Sequence, residues 1–227
     1  MQIIDAAQFD EYWKTHSQCC SAGLCSGSVD GVVREIIEAV RSEGDAVLRR
    51  YAERFDKSSP VQFEVPFSMA EAAWENVCKT DKETANALEL AARHIFTFAE
   101  LQRKQLIDFE TEMETGVFTG QRVIPVERAA VYVPAGRFPL FSSVLMGMIP
   151  ALAAGVEEII LASPPMEDGL PDRTILAAAA LSMTAGRKTE KTITPTLRIF
   201  AMGGAQAIAA LALGTESVPR ANVIVGP

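Results

Sequence analysis

Ala129-Ala130-Val131-Tyr132-Val133-Pro134-Ala135-Gly136 is a short apolar run closed by a proline and a glycine, and its shape returns three times downstream. Glu158 to Ala162 ends in Ser163-Pro164-Pro165, Leu197 to Met202 ends in Gly203-Gly204, and Asn222 to Val225 ends in Gly226-Pro227. Apolar runs this short, closed by chain breakers, read as buried strands. Between them lie helical stretches from Ser142 to about Ala154, from Thr174 to Thr184 and from Gln206 to Leu213. Strands separated by helices predict right-handed βαβ crossovers and a parallel sheet. In such a sheet all strand carboxyl ends share one edge, so the four breaker clusters converge where open α/β sheets bind ligands.

Glycines at that edge let backbone approach a ligand, and the helix amino ends after Gly204 and Phe141 offer N–H groups to a phosphate. The pattern Gly-x-Gly-x-x-Gly is absent, so Gly203-Gly204 reads either as a nucleotide-binding turn or as a plain tight turn. Tyr132, near the carboxyl end of its strand, is either a wall for a base or a core aromatic. Gly-x-Ser-x-Gly is missing, which removes support for an esterase nucleophile. Ser142-Ser143 opens a helix, where capping is the simpler role.

Upstream, the texture is helical. Val32, Val33, Ile36, Ile37, Val40, Val47, Leu48, Tyr51 and Phe55 recur at three- and four-residue steps, giving one or two amphipathic helices with a bend near Gly44 and with Ser28 or Asp30 as N-cap. Phe63-Glu64-Val65 reads as a short extended piece. Ser68 and Glu71 predict a capping box, and Leu88, Ala91, Ala92, Ile95, Phe96, Ala99 and Leu101 form the inner face of a third helix. Val117 to Thr119 and Gln121 to Pro125 read as two strands turning at Gly120. Arg187 to Thr196, polar and charged, reads as an exposed loop.

The whole chain has 227 residues, 48% of them hydrophobic, with 29 acidic and 21 basic side chains and a net charge of −8. These values suit a globular protein and exclude a disordered tail or a disulfide scaffold. Residues 1–120 carry a net charge of −9 and residues 121–227 a net charge of +1. An acidic surface argues against a nucleic-acid partner, and the nearly neutral half is the better host for a small anion. No apolar run is long enough to span a membrane and the first ten residues lack a basic residue, so the expected compartment is the cytoplasm. Cys19, Cys20, Cys25 and Cys78 read as free thiols, with adventitious metal binding by Cys20, Cys25 and His16 as the alternative. His94, a lone helical histidine, reads as a packed or surface residue, and Trp13 and Trp74 as packing residues.

Three blocks carry a resemblance to a known family. Val131-Tyr132-Val133-Pro134-Ala135-Gly136, Pro139 to Met146, and Gly203-Gly204-Ala205-Gln206 to Ala212 with Gly214-Thr215-Glu216-Ser217-Val218-Pro219 resemble histidinol dehydrogenase. Gly44-Asp45, Tyr51 and Phe55-Asp56-Lys57 are similar to that family's amino-terminal helices, and the resemblance runs from Ser28 to Pro227. It implies an NAD-dependent, zinc-containing homodimer that oxidises L-histidinol through the aldehyde to L-histidine. It also implies that Tyr132 and Gln206 contact NAD, with Pro134, Pro164 and Gly226 lining the same pocket. Ala135 departs from the family's Pro-Gly-Gly turn.

The family's zinc ligands, its Glu-His pair and a cofactor-binding Asn lie beyond the Gly-Pro turn at residues 226–227, so no catalytic or metal-binding residue is expected in this chain and it is predicted inactive alone. The expected fold is α/β: a helical arm over residues 1–115, then an incomplete Rossmann-like parallel sheet with flanking helices over residues 116–227. Two other readings stay open: a non-catalytic nucleotide-binding or scaffolding homologue, and a family member that oxidises another polar alcohol.

Overall fold

The computed structural model describes residues 27–56, 58, 60–135, 140–185 and 195–227. Trp13, His16, Cys19, Cys20, Cys25, Gly136 and the stretch 186–194 lie outside the described residues, so the readings placed on them are not addressed.

The sequence runs as α1 (Gly27–Glu43), α2 (Asp45–Phe55), β1 (Glu64–Val65), α3 (Phe67–Thr80), α4 (Lys82–Lys104), β2 (Phe109–Glu114), β3 (Val117–Gln121), β4 (Arg128–Tyr132), α5 (Phe141–Ala154), β5 (Glu158–Ser163), α6 (Arg173–Thr184), β6 (Thr196–Ala201), α7 (Gly204–Leu213) and β7 (Val223–Val225). The four expected strands, β4 to β7, form one sheet in the order β6-β5-β4-β7, all parallel, and the three helices between them fall where the periodicity puts them. Phe63-Glu64-Val65 does more than extend: β1 pairs antiparallel with β6, Glu64 opposite Phe200, and makes a fifth strand.

Alternation along the strands separates two hydrophobic layers. Ala129, Val131, Ile159, Leu161, Ile199 and Ala201 face α3, α4, α5 and α6. Ala130, Ile160, Ala162, Phe200 and Met202 face α1, α2 and α7. Strands buried on both faces carry continuous apolar runs, as parallel sheets require. Helix α6 is sandwiched so closely that every residue from Ile175 to Ser182 is buried, which explains its alanine content. Helices on both sides of residue 115 share these layers, so the amino-terminal helices pack directly on the sheet.

Four local expectations are corrected. The hairpin is β2 with β3, and it turns at Thr115-Gly116, where the Glu112 carboxylate accepts the Gly116 N–H at 2.8 Å; Gly120 lies within β3, opposite Glu110. Ser68 does not cap α3, because that helix starts one residue earlier behind Pro66 and has no side-chain cap. Ser28 and Asp30 fall within α1. Leu101 is exposed, and the buried stripe of α4 is Ala85, Leu88, Ala92 and Ala99.

Gly44 divides α1 from α2. Its φ of +55° suits glycine, and a side chain there would collide with the Glu216 carboxylate. That carboxylate accepts the Asp45 N–H at 2.9 Å, so α2 is capped at its amino end by a residue from the loop after α7. Thr215 Oγ1 and the Ser217 N–H donate to Asp45 Oδ1, closing the junction.

Candidate functional site

Tyr132 is the last residue of β4 and points to the α1, α2 and α7 side of the sheet. Its hydroxyl accepts the Gly204 N–H at 3.0 Å, which ties the end of β4 to the first turn of α7. Burial, the first cause, pushes the phenol above its ordinary pKa; the Gly204 bond opposes this and the Asp56 charge adds to it. The phenol therefore stays protonated at neutral pH, accepting one bond from Gly204 and keeping its proton to donate.

Gln206 lies in that same first turn, two residues after Gly204. Its side chain folds back over Gly204, where a Cβ would stand 2.7 Å from Gln206 Oε1. A side chain there would displace the Gln206 amide, and the φ of +66° at Gly204 favours glycine as well. Gln206 is 3% exposed, and its Nε2 is buried without a hydrogen-bond partner. An orphaned buried amide costs about 1–3 kcal/mol, so the site holds unused donor capacity.

The cleft beside these residues is lined by Phe55, Asp56, Ala135, Pro164, Pro165, Met166, Gly204 and Gln206 and has a volume of about 260 Å³. Ala135 follows β4, Pro164 to Met166 follow β5, and Gly204 and Gln206 follow β6, so the strand carboxyl ends do converge. Of the edge residues named from sequence, Ala135, Pro164, Pro165, Gly204 and Gln206 line the cleft. Tyr132 reaches it through Gly204. Pro134 is not among the lining residues, and neither is Gly226, which packs against the Tyr132 backbone: a Cβ there would stand 2.5 Å from the Tyr132 carbonyl oxygen. Ala135, the departure from the family's turn, lines the cleft with its small side chain.

Sequence reasoning did not assign Phe55 or Asp56 to the site. They close α2, whose apolar stripe was legible, and that stripe carries its last residues to the cleft. Asp56 is half-buried, and burial pushes its carboxyl up to about 6. Asp56 Oδ2 and Ser163 Oγ are buried without partners, so three orphaned polar atoms gather at this edge. Gly203 makes room between them: a Cβ there would stand 2.6 Å from Pro164 Cγ and 3.1 Å from Asp56 Oδ1.

Histidines contribute nothing to the cleft among the described residues. His94 is exposed on α4. No group of three or more His, Cys, Asp or Glu side chains that would hold a metal occurs among the described residues, so the residues described here do not fit a zinc site. Among them, too, no helix is long and apolar enough to cross a membrane.

The chemistry of this edge suits a nucleotide. A helix amino end, a free amide donor and a carboxyl group line a cleft at the carboxyl ends of β4, β5 and β6, with the protonated Tyr132 phenol behind Gly204. Comparison with known proteins agrees with this architecture. Histidinol dehydrogenase of Streptococcus mutans is 41% identical over 199 residues, which cover 88% of this chain and 42% of that protein. The enzyme of the same name from Oceanobacillus iheyensis is 38% identical over 227 residues, all of this chain and 48% of the relative. The crystal structure of histidinol dehydrogenase from Elizabethkingia anophelis superposes with a TM-score of 0.73 at 32% identity, covering 88% of this chain and 42% of that one. The chain thus spans a little under half the length of these relatives. The sequence profile of the histidinol dehydrogenase family matches residues 23–227, and the chain belongs to that family.

Proposed function

We propose that this chain forms the nucleotide-binding part of an NAD-dependent oxidoreductase that takes L-histidinol through the aldehyde to L-histidine, with Tyr132 and Gln206 as cofactor contacts. NAD, when bound, accepts the hydride. The chain's own residues bind and orient. The Gly203-Gly204 backbone admits the ligand, the Tyr132 hydroxyl holds the Gly204 N–H and presents its proton, and the Gln206 amide offers two donors. Pro164, Pro165 and Met166 supply an apolar wall. A cleft of about 260 Å³ lies just below the range of roughly 300–1,000 Å³ for whole ligands, so it accepts one portion of a dinucleotide.

The orphaned Gln206 amide carries this reading, since a buried donor without a partner at a ligand edge is explained when a ligand supplies the acceptor. Zinc and the acid-base step belong, in this proposal, to the whole protein, as do the homodimer and the cytoplasmic setting. Calorimetric titration with NAD+ tests the reading. Binding to the unsubstituted protein, weakened about tenfold by Tyr132→Phe, is the expected outcome, and an absence of NAD+ binding overturns it.

A further inference from the structure

Asp56 is poorly placed for any purely structural duty. It is the C-cap of α2, where the helix dipole disfavours an acid. Its N–H closes the helix on Ala52, and its side chain makes no hydrogen bond or ion pair among the described residues. Three arginines share α2, and each is engaged elsewhere. Arg49 donates to the Val61 carbonyl, Arg50 grips the Glu43 carboxylate, and Arg54 lies over the Phe55 ring at 4.9 Å from its centroid. The carboxyl group is left in the cleft wall beside Pro164 and Gly203, with one oxygen buried and unpartnered.

The topology says what is missing there. In doubly wound sheets the acid that accepts the ribose hydroxyls stands at the end of the second strand. The strand in that position is β5, which ends at Ser163 and leads through Pro164-Pro165-Met166 to Glu167 and Asp168, two exposed acids that do not line the cleft. Asp56 enters the same corner from the flanking helix. It faces the cleft together with Gln206, so an acceptor and a donor of a diol line one small space.

Resting on the reading of the cleft as a dinucleotide site, we propose that Asp56 is the residue that reads the adenosine ribose hydroxyls and thereby selects NAD over NADP. A carboxylate accepts from both hydroxyls of a vicinal diol, and Gln206 Nε2 donates to a hydroxyl or ring oxygen beside it. A 2′-phosphate would remove one donor and set a second anion against the carboxylate.

The test is equilibrium binding of NAD+ and of NADP+ to the unsubstituted protein, to Asp56→Asn and to Asp56→Ala, each checked for folding by circular dichroism. The unsubstituted protein is expected to prefer NAD+. Asp56→Ala weakens NAD+ about tenfold to a hundredfold, and Asp56→Asn, which keeps the shape, lowers the preference for NAD+ over NADP+ by at least about tenfold. A merely structural role would shift both cofactors alike. An unchanged preference ratio in folded Asp56→Asn overturns this inference while leaving the cofactor reading intact. No NAD+ binding to the unsubstituted protein overturns both.

Discussion

The two edges of the parallel sheet differ in how they treat polar groups. At the amino edge, Arg128 Nε meets Glu158 at 2.6 Å, Arg128 Nη1 donates to the Arg220 carbonyl, and the Arg128 N–H donates to Asn222. Arg198 forms a two-pronged pair with Glu64 and also approaches Glu158. The hydrogen bond from Arg198 holds the Glu64 carboxyl below its ordinary pKa, against the opposing effect of burial. At the carboxyl edge Asp56, Ser163 and Gln206 each keep a buried polar atom without a partner, and burial drives Asp56 upward. Among the described residues the amino side keeps one such orphan, Ser217 Oγ beside Arg198, so the same strands are tied by charged pairs at one end and carry most of the spare hydrogen-bonding capacity at the other. Charged pairs stabilise the first edge, and the second holds most of the unmet donors and acceptors, the feature on which the proposed cofactor site rests.

Breaking this contrast begins at the amino edge. Glu158→Ala strips Arg128 of its close partner in a site where both side chains are about four-fifths buried, and it should lower stability by about 2 kcal/mol in urea denaturation without changing NAD+ affinity. A loss below about 0.5 kcal/mol would mean that this edge does not hold the strands. The opposite sign is expected at the carboxyl edge. Gln206→Leu removes the orphaned amide and should raise stability by about 1 kcal/mol while weakening NAD+; a variant less stable than the parent would show that the amide is already satisfied.

The smallest effect depends on pH. Because the folded Asp56 carboxyl titrates near 6, above its ordinary value, the stability it contributes is full in acid and is lost as the pH rises through about 6. The melting temperature of Asp56→Asn minus that of the parent should therefore grow between pH 4 and pH 7. A difference that stays flat or shrinks would place Asp56 in a solvated setting.

The sheet was legible because each strand is short, apolar and ended by glycine or proline, so local chemistry and global position agree. Tyr132 and Gln206 were named through resemblance, and the Gly203-Gly204 pair by spacing alone left two meanings open. What fixes the turn's geometry is the Tyr132 hydroxyl on the Gly204 N–H, a contact between residues 72 positions apart that no periodicity encodes. Asp56, quoted only for its likeness to the family's helices, was not assigned to the site for a related reason: it ends an amphipathic helix, and a helical pattern shows which face is buried but not what lies beyond the last turn. The β2–β3 hairpin was misplaced because every residue of both strands is exposed, leaving no alternation to mark the register.

The cap of α2 sets an order of events in folding. Asp45 and Glu216 are 171 positions apart, so the amino end of α2 acquires its cap only after the chain through residue 216 has been made. The helix carries Phe55 and Asp56 at its other end, about 16 Å away for eleven residues. Closing a loop of this length is entropically slow. On the ribosome the α2 wall of the cleft is thus a late feature: a nascent chain halted before residue 216 lacks both the Glu216 cap of α2 and strand β7.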